Sequence, residues 1–267
     1  MIKILEQFIQ GRLNHDGCED GIFHSDCFVV LVDGATYSQN NRLEETPGQI
    51  IKHLILRVFE DIRPNLYITE IIELINERIA RVYSSNSDIP PDSLSATAVV
   101  YSAHFNEVWI IGDCQAIVNS RHYYTNNRIE VVLSELRAIV LHSYQLRGFS
   151  LDSLLKNDLG RVAIEPFLRL QNDFQNTRNN PYSYTCINGK PIYKNQIKII
   201  SVRKKYVTFS SDGYPKIYSN LRRTEDYLKQ VLDNDPLMFI QYQATKGMLH
   251  DLESYDDRSY IRFQVGP

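Results

Sequence analysis

The sequence predicts an α+β domain in which antiparallel sheets are covered by helices. Three observations carry this prediction. Strand-like apolar runs occur at 28–32, 95–118, 196–211 and 260–265, and between them lie stretches whose apolar residues recur every three or four positions. Strand pairs therefore alternate with helix pairs, the order expected of layered α+β folds. No linker-like change of composition divides the 267 residues, so the chain reads as one domain, 1–267.

Phe28 to Val32 is continuously apolar and largely β-branched, as in a strand buried on both faces, and it stops at Asp33-Gly34. Ile50, Ile51, Leu54, Ile55, Val58, Phe59 and Ile62 then define one helix, and Ile71, Ile72, Ile75, Ile79 and Val82 a second, with Pro64 between them. SNSDIPPDS (85–93) is a loop. SATAVVYSA, the turn HFNE and VWIIGD read as a hairpin, with QAIV as a further strand. Helical stretches follow at about 130–147 and 150–174, the turn-rich segment 175–191 is a long excursion with a short hairpin, and its Tyr-rich part, 179–193, is either a flap beside a cleft or simple loop packing. QIKIISV and YVTFSSDG are expected to form another hairpin over Arg203-Lys204-Lys205. Two helices at about 223–246 precede a last strand in which Ile261, Phe263 and Val265 alternate with Tyr260, Arg262 and Gln264.

Composition narrows the function. The net charge of −3, from 29 basic and 32 acidic residues, gives no electrostatic reason to expect nucleic acid or an anionic membrane as partner. MIKILEQFIQGR is too short and too polar for a signal peptide, and no apolar run approaches the roughly 18 residues of a membrane span. With four scattered cysteines, the thiols are expected to be reduced and the protein cytoplasmic. Its oligomeric state is left open.

Two metal sites compete near the start of the chain. His15, Cys18, His24 and Cys27 form two H-x-x-C pairs, but only five residues separate the pairs, too few for four ligands to wrap a zinc ion. Carboxylates are the stronger set. Apolar strands end in Asp33-Gly34, Gly112-Asp113 and Asp212-Gly213, and Asp256-Asp257 precedes the last strand. One Asp-Gly is ordinary turn chemistry. Four acidic positions abutting strands of one core would repel and resist desolvation unless a cation neutralised them. Oxygen-only ligands suit Mg²⁺ or Mn²⁺, and paired ions of this kind serve displacement at phosphorus.

These residues carry a resemblance. Glu19-Asp20 followed by FVVLVDG resembles the first motif of the metal-dependent Ser/Thr protein phosphatases of type 2C, the PPM family. SATAVV with VWIIGDCQAIV, VTFSSDGY and DDRSYIRFQV are similar to the family's later motifs, in the family's order across residues 11–265. The resemblance implies a four-layer α/β/β/α sandwich of two antiparallel sheets flanked by helix pairs. It also implies two Mn²⁺ or Mg²⁺ ions in a cleft at one end and a phosphorylated protein as substrate. Carried over position by position, Asp33 would bridge both ions and Gly34 would lend its carbonyl. Asp212 and Asp256 would hold one ion, and Glu19 or Asp20 the other. Asp113 would help hold a third, looser ion, and Arg12 would bind phosphate. The catalytic set would be Asp33, Asp212 and Asp256.

The chain departs from the family in reading Asp33-Gly34-Ala35-Thr36-Tyr37 where Asp-Gly-x-Gly-Gly is usual, and Cys114 replaces a usual Ser. Asp16 could take the place of Asp20 in another alignment. A regulatory module of weak or no activity, and a phosphatase of small phosphorylated molecules, are the alternative functions.

Overall fold

The computed structural model describes residues 1–36 and 43–266; Tyr37 of the altered loop lies outside the described residues. Ten strands form two antiparallel sheets. One contains, in spatial order, β1 (Ile2–Gln10), β10 (Arg258–Val265), β9 (Tyr206–Ser210), β6 (Gln115–Val118) and β7 (Arg121–Tyr123). The other contains β2 (Asp20–His24), β3 (Phe28–Ala35), β4 (Ser95–Ser102), β5 (Glu107–Ile111) and β8 (Lys198–Ser201).

The pleat of β3 explains the layers. Val29 and Leu31 point between the sheets, where they meet Val99, Ile110, Phe209, Ile261 and Phe263. Phe28, Val30 and Val32 point the other way, onto α1 (Pro47–Asp61) and α2 (Ile68–Ser85). Both faces are buried, as the uninterrupted apolar run predicts. The α1 helix starts where Thr46 and Gln49 cap it reciprocally, with Pro47 in its first turn. On the outer face of the first sheet, α6 (Leu221–Asn234) lays Leu228 and Val231 against Tyr214 and Tyr260. The result is the α/β/β/α sandwich implied by the resemblance. A further group, α3 (Arg128–Leu146), α4 (Leu151–Lys156) and α5 (Leu159–Leu170), joins through Leu133, Ile164 and Leu168. Among the described residues no helix is long and apolar enough to cross a membrane.

Two local expectations are corrected. The stretch 196–211 is not a hairpin: β8 pairs with β5 and β9 with β10 and β6, so Arg203-Lys204-Lys205 carries the chain from one sheet to the other. Asn119 Oδ1 holds this crossing by accepting the backbone N–H groups of Arg203 (2.7 Å) and Lys204 (3.1 Å). Second, only one helix lies in 223–246. After α6 the Asp235 carboxylate accepts the N–H groups of Phe239, Ile240 and Gln241, and Met238 has a φ of 52°, which winds the chain into a non-helical loop. The 175–191 excursion packs beside β4 through the Ala96–Ile187 bridge, and its Thr185 carbonyl abuts Gly112, next to Asp113.

Candidate active site

The acidic cleft lies where the inter-sheet core ends. Asp33 continues the series Val29, Leu31 toward that end and remains inside β3, so Asp33-Gly34 is strand and not turn. Register places Asp20 of β2 directly opposite Asp33, and Thr97 of β4 on the other side. Gly34 donates its N–H to the Glu19 carbonyl (3.1 Å) and packs against the backbone of Gly48 at the start of α1.

Asp113 follows Gly112, whose φ of 90° is left-handed and whose missing side chain admits Thr97. Asn127, just before α3, donates to Asp113 Oδ2 at 2.5 Å. Glu130 projects from the first turn of α3. Asp212 lies just past the end of β9, and Gly213 lets that turn pack on Asp257: a Cβ there would fall 2.0 Å from the Asp257 carbonyl oxygen. Carboxylate oxygens of Asp113, Glu130 and Asp212 lie within 4.8 Å of one another. They line a cleft of about 550 Å³ together with Asp256 and Lys246.

The electrostatics are those of crowded acids, Asp20 buried and the others half-buried. Burial, then the charge of Asp257, pushes the Asp20 carboxyl up to about 8, and the hydroxyls of Ser211 and Ser259 offset this only in part. Asp33 is raised well above the usual carboxylate range, by burial first and then by Asp20, Asp212, Asp113 and Asp256. Asp212 rises to about 7 through burial and its acidic neighbours, with Lys246 and a hydrogen bond to Asp33 opposing. Glu130 and Asp113 are raised by burial and by the same cluster.

The remaining expected site residues have other placements. Glu19 directs its carboxylate to the hydroxyls of Thr36 and Thr46, so it braces the N-terminus of α1. Asp257 accepts the backbone N–H groups of Arg12 (2.6 Å) and Glu19 (2.7 Å), tying down the 12–19 loop. Arg12 donates its Nε to the Tyr255 carbonyl (3.0 Å), behind Asp256. Asp256 Oδ1 accepts from Lys246 Nζ and from its neighbour's N–H. Asp16 is exposed and outside the cleft. The H-x-x-C residues do not converge: His15 and His24 are exposed and Cys18 is buried. Cys18 and Cys27 also lie at opposite ends of the β2–β3 ladder.

Glu130 and Lys246 are among the cleft residues that sequence reasoning missed. Glu130 is one acid in the first turn of a helix, a common arrangement that signals nothing by itself. Lys246 fell in a stretch expected to be helical.

The residues present fit a hard divalent cation. Both carboxylate oxygens of Asp20 are buried without a well-formed hydrogen bond among the described residues, and the hydroxyls of Ser211 and Ser259 offset its desolvation only in part. A buried carboxylate so poorly compensated is costly, and the acids gathered near it offer oxygen ligands, which suit Mg²⁺ or Mn²⁺.

No family model and no curated protein matches the sequence. Solved structures do match, over the whole chain. The Mycobacterium tuberculosis serine/threonine phosphatase PstP/Ppp aligns with 100% of this chain and 99% of its own, at 9% identity and a TM-score of 0.51. The catalytic domain of PstP in complex with two manganese ions aligns over the same shares, at 8% identity and 0.53. The serine/threonine phosphatase Stp1 from Staphylococcus aureus aligns with 100% of this chain and 96% of its own, at 16% and 0.52. The chain thus has the fold of the bacterial type 2C serine/threonine phosphatases, with an acidic cluster able to hold metal.

Proposed function

We propose that this protein hydrolyses phosphoserine or phosphothreonine in proteins, with Mn²⁺ or Mg²⁺ held in the acidic cleft. The observation that carries the reading is the convergence of Asp113, Glu130 and Asp212, with Asp33 and the buried Asp20 among their acidic neighbours. A phosphatase of the same fold is manganese-bound, which supports the choice of cofactor.

In this reading Asp33 and Asp212 are the central ligands, with Asp20 behind them and Asp113 and Glu130 holding a third, looser ion. Bound ions of this kind lower the pKa of water toward neutrality and offset the charge of a phosphoryl group. The chain's own groups do the positioning: Asn127 fixes Asp113, and the β2–β3 ladder fixes Asp33 opposite Asp20. Arg12 and Lys246 offset part of the cluster's negative charge on the side of Asp256.

The test is Mn²⁺-dependent release of phosphate from a phosphothreonine peptide, with p-nitrophenyl phosphate and a panel of phosphometabolites alongside and EDTA as control. Peptide turnover abolished by EDTA is the expected result. Turnover of metabolites alone would reassign the substrate to small molecules, and no turnover of any substrate would leave a binding module.

A further inference from the structure

We propose that Lys246 is the resident cation of Asp256. Its ammonium would fill the position where the family resemblance puts a divalent ion, so the cleft takes up one ion fewer than it would without this lysine. The proposal rests on the cleft being a divalent-cation site.

Lys246 is held in place from both sides. Arg137 Nη1 donates to the carbonyl of Ala244 at 2.9 Å, and Arg161 Nη1 to the carbonyl of Thr245 at 3.1 Å. On the other side, a Cβ on Gly247 would lie 2.6 Å from the Leu237 carbonyl oxygen and 2.8 Å from Arg137 Nη2, so the backbone there is pressed onto the guanidinium. Arg137 is itself immobile: its side chain is 0% exposed and it grips both oxygens of Asp158. Ala244, Thr245 and Gly247, on both sides of Lys246, are thus held by Arg137 of α3 and Arg161 of α5. A flexible four-carbon stem usually makes a lysine ion pair weak through lost entropy. Here the anchored backbone removes part of that cost.

Asp256 is equally fixed. The Tyr255 carbonyl carries Arg12, and the Asp257 carboxylate carries the N–H groups of Arg12 and Glu19. Asp256 Oδ1 already has two donors, Lys246 Nζ and the Asp257 N–H at 2.8 Å. Among the described residues the acidic oxygens that converge within 4.8 Å are those of Asp113, Glu130 and Asp212; Asp256 stands outside that set, as do Asp20 and Asp33. Its side chain is 15% exposed and that of Lys246 31%, so solvent screens the pair only partly. A divalent ion at Asp256 would have to displace the ammonium or sit against it, and either is unfavourable.

The experiment counts Mn²⁺ per chain by calorimetric titration and elemental analysis of the full-length protein after EDTA stripping. Four forms are compared: wild type, Lys246→Met, Asp256→Asn and the double variant. Lys246→Met is expected to take up one Mn²⁺ more than wild type, the double variant to return to the wild-type count, and Asp256→Asn to leave the wild-type count unchanged. An equal, non-zero count in wild type and Lys246→Met would overturn the proposal alone, and so would loss of an ion in Asp256→Asn. A double variant that keeps the extra ion would also overturn it, since the ion would then not be at Asp256. If Lys246→Met fails to fold by circular dichroism, the Asp256→Asn count decides. Absence of Mn²⁺ from every form would overturn the metal-dependent function and this proposal with it.

Discussion

Asp20 stands directly opposite Asp33 across the β2–β3 ladder, so two carboxylates leave neighbouring strands on the same face at the end of the inter-sheet core. Like charges in that relation destabilise a sheet. The fold tolerates the pair because a proton or a cation can be shared among these acids, and the predictions below follow from that.

The metal-free protein should lose stability as pH rises. Asp20 and Asp212 titrate at about 8 and about 7 in the fold, against about 3.9 for an unfolded aspartate. Between these values the folded chain holds protons that the unfolded chain has released, so unfolding becomes easier with each step in pH. Each such group costs about 1.4 kcal/mol per pH unit across that window. The melting temperature in EDTA should fall from pH 5 to pH 8 and level off above. Millimolar Mn²⁺ should raise it most at pH 8, because the ion binds the ionised cluster and not the dispersed chain. A metal-free melting temperature that is flat or rising over this range would contradict the cluster.

Glu19→Ala should act on stability and leave the metal alone. The Glu19 carboxylate accepts from Thr36 and Thr46 and rests on Gly48, so its loss removes a brace from the first turn of α1. Lost hydrogen bonds to a half-buried charged acceptor are worth about 1.5–3 kcal/mol. A chemical denaturation curve should show that loss, while Mn²⁺ affinity stays within a few-fold of wild type. A large drop in Mn²⁺ affinity with normal stability would return Glu19 to the ligand set.

Arg137→Met should loosen the cleft wall from behind. It strips Asp158 of its buried partner and frees the carbonyls of Met238 and Ala244. Breaking a buried ion pair from one side costs about 3–5 kcal/mol. Hydrogen exchange at 238–247 should speed up more than exchange in β3 or β10. Uniform acceleration across the chain would show only global destabilisation.

Much of the fold is legible because its strands are apolar on both faces. β3 and β4 sit in the middle of a sheet and under α1 and α2, so FVVLV and SATAVV carry a strong signal. β1 was not read as a strand: it is an edge strand whose alternation is broken by a register shift between Ile4 and Glu6. The acids at strand ends were legible because Asp33, Asp113 and Asp212 follow apolar runs. Glu130 and Lys246 reach the cleft from a helix and a loop, and only tertiary packing brings them there. Arg137 was there to be noticed, since Leu133, Arg137 and Leu141 share one face of α3 and all are buried. A charged residue on an apolar stripe signals a buried partner, here Asp158. The crossing at Arg203-Lys204-Lys205 could not be told from a hairpin, because a short polar turn joins two short strands either way.

The sharpest test of the site is Asp212→Asn. Asp212 lies just past the end of β9, beside Asp33, and shares with Asp113 and Glu130 the convergent set of oxygens. Asparagine keeps the shape but removes one negative charge and one anionic ligand. Without metal, the variant should melt at or above the wild-type temperature at pH 8, because repulsion within the cluster falls. With metal, the Mn²⁺-induced rise in melting temperature should shrink, since a neutral amide is a poorer ligand for a hard ion. Turnover of a phosphothreonine peptide should drop by roughly two orders of magnitude, equivalent to about 3 kcal/mol of transition-state stabilisation. The opposite signs of the two effects separate a functional carboxylate from a structural one, which would lose stability and activity together. A well-folded Asp212→Asn protein with wild-type turnover and a wild-type metal response would remove this residue from the site, and most of the metal-dependent reading with it.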